Sequence, residues 1–203
     1  MNELPEEKKC FFLGNDFFLF SSVYEPAEDS FLLAEAIEFK KSDVVLDLGC
    51  GTGIQGINAL MNGAGFVVFS DVNPEALKNT KQNLELIEFP KKQNLELIES
   101  DLFSNLKNKK FDVIIFNPPY VVSDEIKYRE LDGGIKGREI LDKFLNSFTE
   151  HLNEKGRICF LQTDLNGLNE SIKLLAEKGF NAKVIAKKKL FFEELIVLKA
   201  ERN

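Results

Sequence analysis

Short apolar runs recur along the chain at 44–48, 66–70, 95–98, 111–116 and 157–161, and several are apolar at nearly every position. A strand with one wet face alternates polar and apolar residues, whereas a strand covered by helices on both faces does not need to. Amphipathic stretches separate the runs, which predicts βα units around a mostly parallel sheet. Asn73-Pro74 offers a cap and a first-turn proline for a helix over 74–86. Leu141, Leu145, Phe148 and Leu152 share one face of a helix expected over 139–152. A further helix over 168–178 is expected to stop at Gly179.

The rhythm breaks at both ends. Segments 182–186 and 190–198 have no helical spacer between them, so they read as an antiparallel edge pair. Segments 10–13 and 17–20 flank the turn-rich Gly14-Asn15-Asp16, which predicts a hairpin. A helix is expected from Pro26, with Glu28 and Asp29 in its first turn and Phe31, Leu32, Ile37 and Phe39 along it. The heptapeptide at 82–88 recurs word for word at 93–99. The first copy continues the helix from Pro74 until Pro90 interrupts it. The second is expected as a strand, and the duplication itself carries no function.

Composition excludes several classes. A length of 203 residues with 44% hydrophobic content fits one domain and one core. No apolar run nears 18 residues, which argues against a membrane span, and the first seven residues lack a basic leader region. Cys10, Cys50 and Cys159 are scattered without a Cys-x-x-Cys pair, which disfavours a disulfide framework or a zinc site and fits a reducing cytoplasm. The net charge of −7 works against nucleic-acid binding. Aromatic residues are almost all Phe, 19 of them against no Trp. Phe11, Phe12, Phe17, Phe18 and Phe20 crowd the N-terminus, where they fit a hairpin folded onto the domain or an exposed surface awaiting a partner.

The chemistry begins where the 44–48 run enters Gly49-Cys50-Gly51-Thr52-Gly53. Such a strand–turn–helix lets backbone approach a ligand closely, and the helix N-terminus favours an anionic group. Residues 51–56 match Gly-x-Gly-x-x-Gly, with Asp71 twenty positions beyond Gly51, a match that would also admit a nicotinamide dehydrogenase. Asp47, Asp71 and Asp101 all fall at strand ends, hence at one carboxyl-end crevice. Asn117-Pro118-Pro119-Tyr120 follows the fourth run directly. Each proline pushes the residue before it out of the helical region, so the tetrapeptide is stiff and extended. It offers the Asn117 side-chain and Pro118 backbone carbonyls as two acceptors, with Tyr120 as a flat platform. That suits a planar group bearing two amino hydrogens, an amide or the exocyclic amine of a base, and positioning would then supply much of the rate.

The fuller pattern Asp47-x-Gly49-x-Gly51-x-Gly53 resembles the first motif of class I S-adenosylmethionine-dependent methyltransferases. With Asn117 through Tyr120 it resembles the HemK-type amino-methyltransferases. Residues 23–33 resemble the upstream signature of the short archaeal and eukaryotic branch, which lacks the helical N-terminal substrate domain of the bacterial enzymes. Gly133-Gly134-Ile135-Lys136-Gly137-Arg138 resembles that branch's Gly-Gly-x-x-Gly-Arg element. The resemblance implies an α/β fold, a Rossmann-like doubly wound sheet of seven mostly parallel strands with the antiparallel pair at its C-terminal edge. Its domain would span 23–203, after a Phe-rich extension over 1–22. It implies S-adenosylmethionine as cofactor, held by Asp47, Gly49, Gly51, Asp71, Asp101, Leu102 and Asn117, with Tyr24 and Ser30 near the methionine end. It implies methylation of the glutamine amide in the Gly-Gly-Gln loop of a class I peptide chain release factor, Asn117 and Pro118 gripping the amide and Tyr120 packing on it. Relatives in the branch pair with a small zinc-binding activator.

Competing readings are an adenine or guanine amino-methyltransferase of nucleic acid, a protein lysine methyltransferase and a non-catalytic cofactor-binding scaffold. Charge disfavours the first, the planarity that Tyr120 fits disfavours the second, and the intact tetrapeptide disfavours the third. His151 reads as a helix-end residue, and Cys50 as a small filler. Arg138 either shapes the substrate loop or pairs locally. Lys91-Lys92, Lys107, Lys109, Lys110 and Lys187-Lys188-Lys189 read as solvated turns.

Overall fold

The computed structural model describes residues 8–89, 94–124, 127–128 and 130–203. The expectations for the first seven residues, for Pro90, for Lys91-Lys92 and for Gln93 lie outside them.

The strands β3 (Val44–Leu48), β4 (Phe66–Asp71), β5 (Leu95–Glu99), β6 (Phe111–Phe116), β7 (Leu152–Thr163), β8 (Phe180–Lys189) and β9 (Glu194–Arg202) form one seven-stranded sheet, ordered β5-β4-β3-β6-β7-β9-β8. The first five neighbours pair in parallel, whereas β9 runs antiparallel to both β7 and β8. β9 therefore inserts between β7 and β8, and only β8 stands at the margin. The near-continuous apolar runs have the reason expected of them. Val45 of β3 packs with α1 (Glu28–Ala36) and α2 (Ile54–Met61) on one face, while Leu46 and Leu48 pack with α4 (Glu139–Ser147) and α5 (Leu168–Glu177) on the other. The second face is largely phenylalanine. Phe144 meets Phe116, Phe148 and Phe160, and Phe148 meets Phe180 edge-on at 5.0 Å.

α3 (Pro74–Leu86) starts where the proline puts it, with the Asn73 side chain accepting from Glu75 N. The duplicated heptapeptide takes both forms, its first copy ending α3 and its second forming β5. Leu and Ile separated by Glu satisfy either period, so the neighbours decide.

Several boundaries differ from expectation. α1 begins at Glu28 and stops at Ala36, so Pro26, Ile37 and Phe39 lie outside it. α4 ends at Ser147, tightens into a 3-10 turn over Phe148–His151, and gives Leu152 to β7. All four residues of its expected stripe are buried, so the apolar spacing continues past the end of the helix. β9 begins only at Glu194, and the apolar Leu190-Phe191-Phe192 forms the turn before it.

At the N-terminus, β1 (Lys9–Phe12) and β2 (Asn15–Phe18) make an antiparallel hairpin turning at Leu13-Gly14, both left-handed. Phe12 and Phe17 are buried, and Phe12 stacks on Phe31 at 5.0 Å. Asn79 and Asn83 of α3 exchange hydrogen bonds with the backbone of Phe18 and Phe20. Phe11 stays exposed. No helix among the described residues is long and apolar enough to cross a membrane.

Candidate functional site

At the carboxyl ends of β3 to β6 a cavity of about 860 Å³ opens. Tyr24, Ser30, Gly49, Gly51, Asp71, Asp101, Leu102, Asn117, Pro118 and Tyr120 all line it. Asp47 does not. It is 1% exposed and lies behind the glycine turn, where its Oδ2 accepts from Gly56 N at 2.8 Å. Burial pushes its carboxyl up to about 8, so the side chain anchors the first turn of α2 as a largely neutral group at pH 7.

The turn takes its shape from Gly49, Gly51 and Gly53, whose φ of 65°, 55° and 83° lie in the left-handed region. At Gly53 a Cβ would also fall 2.8 Å from Thr80 Cγ2. Asp71 ends β4 and closes the turn from below, its Oδ2 accepting from Gly51 N at 3.0 Å and its Oδ1 from Asn73 N at 2.8 Å. Burial raises its pKa. Leu102 reaches the cavity from a left-handed φ of 47°, an uncommon conformation for a branched side chain. Cys50 lines the same wall, and burial together with the Asp47 and Asp71 charges raises its thiol well above the ordinary range, which suits a filler rather than a nucleophile.

The opposite wall converges on a residue that the sequence marked only as a first-turn acid. Asp29, 2% exposed, takes Ser30 N at 2.6 Å and the Tyr24 hydroxyl at 3.0 Å on Oδ1. On Oδ2 it takes Asn117 Nδ2 at 2.9 Å and the Tyr120 hydroxyl at 3.4 Å. Burial and the adjacent Asp29 charge raise the pKa of both tyrosines, so their hydroxyls stay protonated and act as donors. With its nitrogen committed to Asp29 and to Ser30 Oγ, Asn117 has a fixed amide orientation. Its Oδ1 is buried and has no hydrogen-bond partner among the described residues. No described residue donates to the Pro118 carbonyl either. A buried acceptor left unpaired costs about 1–3 kcal/mol, which a ligand's N–H would recover. Gln55, also unmarked in the sequence, lines the cavity with its Nε2 donating to Ser30 O at 2.9 Å and its Oε1 unpaired among the described residues.

The tetrapeptide is clamped from outside by the glycine loop. Gly137 approaches so closely that a Cβ there would fall 2.2 Å from the Tyr120 carbonyl, which also accepts from Asn166 Nδ2 at 2.9 Å. Arg138 faces away from the cavity. Buried, it donates to the carbonyls of Asn166 and Gly167 and to Ser171 Oγ, and it pairs with Asp142 at 2.7 Å, tying α4 to the start of α5. Of its two readings the local one matches these partners. His151 stacks on Phe103 at 4.5 Å and approaches the Lys109 carbonyl, outside the cavity. Lys109 itself pairs with Glu96. Among the described residues no group of three His, Cys, Asp or Glu could hold a metal.

The methyltransferase small domain model matches residues 22–192. A protein of Methanocaldococcus jannaschii, provisionally named a protein N5-glutamine methyltransferase, is 41% identical over 91% of this chain and 94% of its own length. The human methyltransferase HEMK2 is 29% identical over 91% of this chain and 92% of its own. Among solved structures, the E. cuniculi Mtq2–Trm112 complex, responsible for methylation of the eRF1 translation termination factor, has a chain that superposes with a TM-score of 0.72 at 29% identity, covering 90% of this chain and 99% of that one.

Proposed function

The chain belongs to the methyltransferase small domain family, and from that premise we propose that it methylates the side-chain amide nitrogen of a glutamine in a protein, the glutamine of the Gly-Gly-Gln loop of a class I peptide chain release factor. The observation that carries the reading is the buried Asn117 Oδ1, followed by the Pro118 carbonyl, neither with a hydrogen-bond partner among the described residues. Two acceptors on a rigid strand end suit the two hydrogens of a primary amide. A fully charged lysine ammonium would bring a third.

The cavity fits S-adenosylmethionine. Asp71 offers a carboxylate edge to a diol, the glycine turn leaves room where side chains would stand, and Asp29, Asp71 and Asp101 bring negative charge that suits a sulfonium. In this reading Gly49, Gly51, Asp71, Asp101, Leu102 and Asn117 hold the cofactor, with Tyr24 and Ser30 toward its methionine end, and Asp47 contributes by fixing the turn. When bound, that cofactor supplies an electrophilic methyl group. An amide nitrogen is a poor nucleophile because its lone pair is delocalised into the carbonyl. Asn117 Oδ1 and the Pro118 carbonyl accept its hydrogens, which enriches the nitrogen and fixes the plane in which it presents its lone pair. The Tyr120 ring covers that plane, and its hydroxyl, held by Asp29, keeps the ring in place.

The E. cuniculi complex supports a small activator subunit for this chain too, and in this reading that subunit binds zinc, as the branch resemblance implies. The reading places the protein in the cytoplasm, where termination occurs, and treats 23–203 as the catalytic domain with 1–22 as an extension, of which the described hairpin β1–β2 packs on it. The test offers purified protein, alone and with such an activator, labelled cofactor and three substrates: release factor, duplex DNA and RNA. Label should enter the release factor. Label in DNA or RNA with none in the release factor overturns the reading.

A further inference from the structure

The most exposed large apolar side chains of the C-terminal half gather at one end of the sheet. Tyr128, Ile135, Leu165, Phe191 and Phe192 all sit on loops beyond β6 and β7 or on the turn between β8 and β9. Because Thr163 pairs with Leu195, that turn lies at the carboxyl end of β7, the end at which the cavity opens. Phe191 and Phe192 are 90% and 85% exposed, and their rings meet only edge-on at 4.6 Å.

The turn is built rather than loose. Leu190 N donates to Glu193 O at 2.8 Å, Glu194 N donates to Asp164 Oδ1 at 2.8 Å, and Lys187 pairs with Glu194 at 2.6 Å. Leu190 packs against the core cluster that also receives Tyr120, and Glu193 lies near enough for its charge to act on the Tyr120 hydroxyl. Leading into the turn, β8 carries Lys188 and Lys189, both exposed and neither within ion-pair distance of a carboxylate among the described residues. Asp164, Glu193 and Glu194 offset the charge of Lys187, Lys188 and Lys189 around the turn, so the strand offers two cations left without a carboxylate among the described residues rather than a basic field.

An amide in the cavity looks the same whichever glutamine carries it, so choosing one protein needs contacts away from the reacting atoms. Aromatic anchors give such contacts affinity, and charges at the rim speed and orient encounter. We propose that the β8–β9 turn is the docking point for the folded substrate protein, an apolar side chain of which packs on Phe191 and Phe192 while acidic groups beside it meet Lys188 and Lys189. The proposal rests on the protein-glutamine reading and adds the part of the chain that selects the protein.

The test compares two substrates, intact release factor and a short peptide containing Gly-Gly-Gln. The variants are Phe191→Ser with Phe192→Ser, and Lys188→Glu with Lys189→Glu. KM for the intact protein should rise at least tenfold in both, and in the lysine variant its salt dependence should reverse, added salt lowering it. The kcat, the peptide kcat/KM, the cofactor Kd and the Tm should stay unchanged. An unchanged KM for the intact protein overturns the proposal. So does loss of RNA binding in a filter assay with that KM intact, which would assign the patch to RNA. A dimeric parent made monomeric by the variants, again with that KM intact, overturns it in favour of a second copy of the chain. If the parent methylates neither substrate, the glutamine reading itself has failed. Calorimetric binding of release factor to the parent then still reads the docking surface, with its loss in the variants expected and its retention contrary.

Discussion

Asp29→Asn replaces an oxygen by a donor at the point where five donors converge, Ser30 Oγ among them. In the parent, Oδ1 holds Ser30 N and the Tyr24 hydroxyl, while Oδ2 holds Asn117 Nδ2 and the Tyr120 hydroxyl. An amide at position 29 can keep its oxygen toward Ser30 N, and its NH2 then faces Asn117 Nδ2, donor against donor. Asn117 relieves the conflict by turning its own amide over, which presents NH2 to the substrate where Oδ1 had been. Alternatively residue 29 turns over and loses Ser30 N. In the first case the substrate loses an acceptor and meets a donor, and one charge-assisted hydrogen bond is worth about 1.5–3 kcal/mol. At about 1.4 kcal/mol per factor of ten, kcat should fall roughly 10- to 150-fold. The assay measures kcat with both substrates saturating and, separately, the cofactor Kd by calorimetry. Loss of kcat with a Kd within about twofold of the parent supports Asp29 as the positioning residue for Asn117. An unchanged kcat, or a weakened Kd with kcat intact, refutes the reasoning, the latter by making Asp29 a cofactor ligand.

Other outcomes follow from the same geometry. Asp71→Ala removes the acceptor of Gly51 N and Asn73 N and the carboxylate proposed for the diol, so the cofactor Kd should rise at least tenfold; titration calorimetry showing parent affinity would remove Asp71 from the site. Gly137→Ala sets a methyl 2.2 Å from the Tyr120 carbonyl at a left-handed φ of 62°, which should cost about 2 kcal/mol or more, lower the Tm by several degrees and reduce kcat, since Tyr120 must shift. Asp47 keeps its proton up to about pH 8 when folded but only to about pH 3.9 when unfolded. Its contribution is therefore full below about pH 4 and is lost as the pH rises toward 8. Asp47→Asn keeps an acceptor for Gly56 N and removes the titration, so its Tm advantage over the parent should be larger at pH 8 than at pH 5. Parallel melting curves at the two pH values would show that burial does not hold the proton.

What the sequence revealed and what it hid divide along physical lines. The doubly covered strands were legible because near-continuous apolar runs have few other uses, and the glycine turn because left-handed backbone needs glycine. The limits of α4 and β9 were not. Phe148 and Leu152 keep helical spacing after the chain has left the helix, and Leu190-Phe191-Phe192 looks like a buried strand although two of its residues are the most exposed phenylalanines described. Burial there is set by contacts that the local pattern does not contain. Asp29 was hidden for the same reason. Its local role, an acid in a first helical turn, is complete in itself, and the partners that give it another lie 88 and 91 residues away. Asp47 is the converse case: the motif is plain, yet only the fold shows that its carboxyl serves α2 from behind the turn rather than facing the cavity.

The central claim is that the acceptors at Asn117 and Pro118 take a glutamine amide, and the position of the transferred methyl tests it most directly. Release factor incubated with the protein, its activator and cofactor would be digested, and the modified residue located by fragmentation mass spectrometry. The account expects the methyl on the side-chain nitrogen of the glutamine in the Gly-Gly-Gln loop, and no methyl there with Asn117→Ala. A methyl on a lysine, or a glutamine methylated equally well by Asn117→Ala, would contradict it.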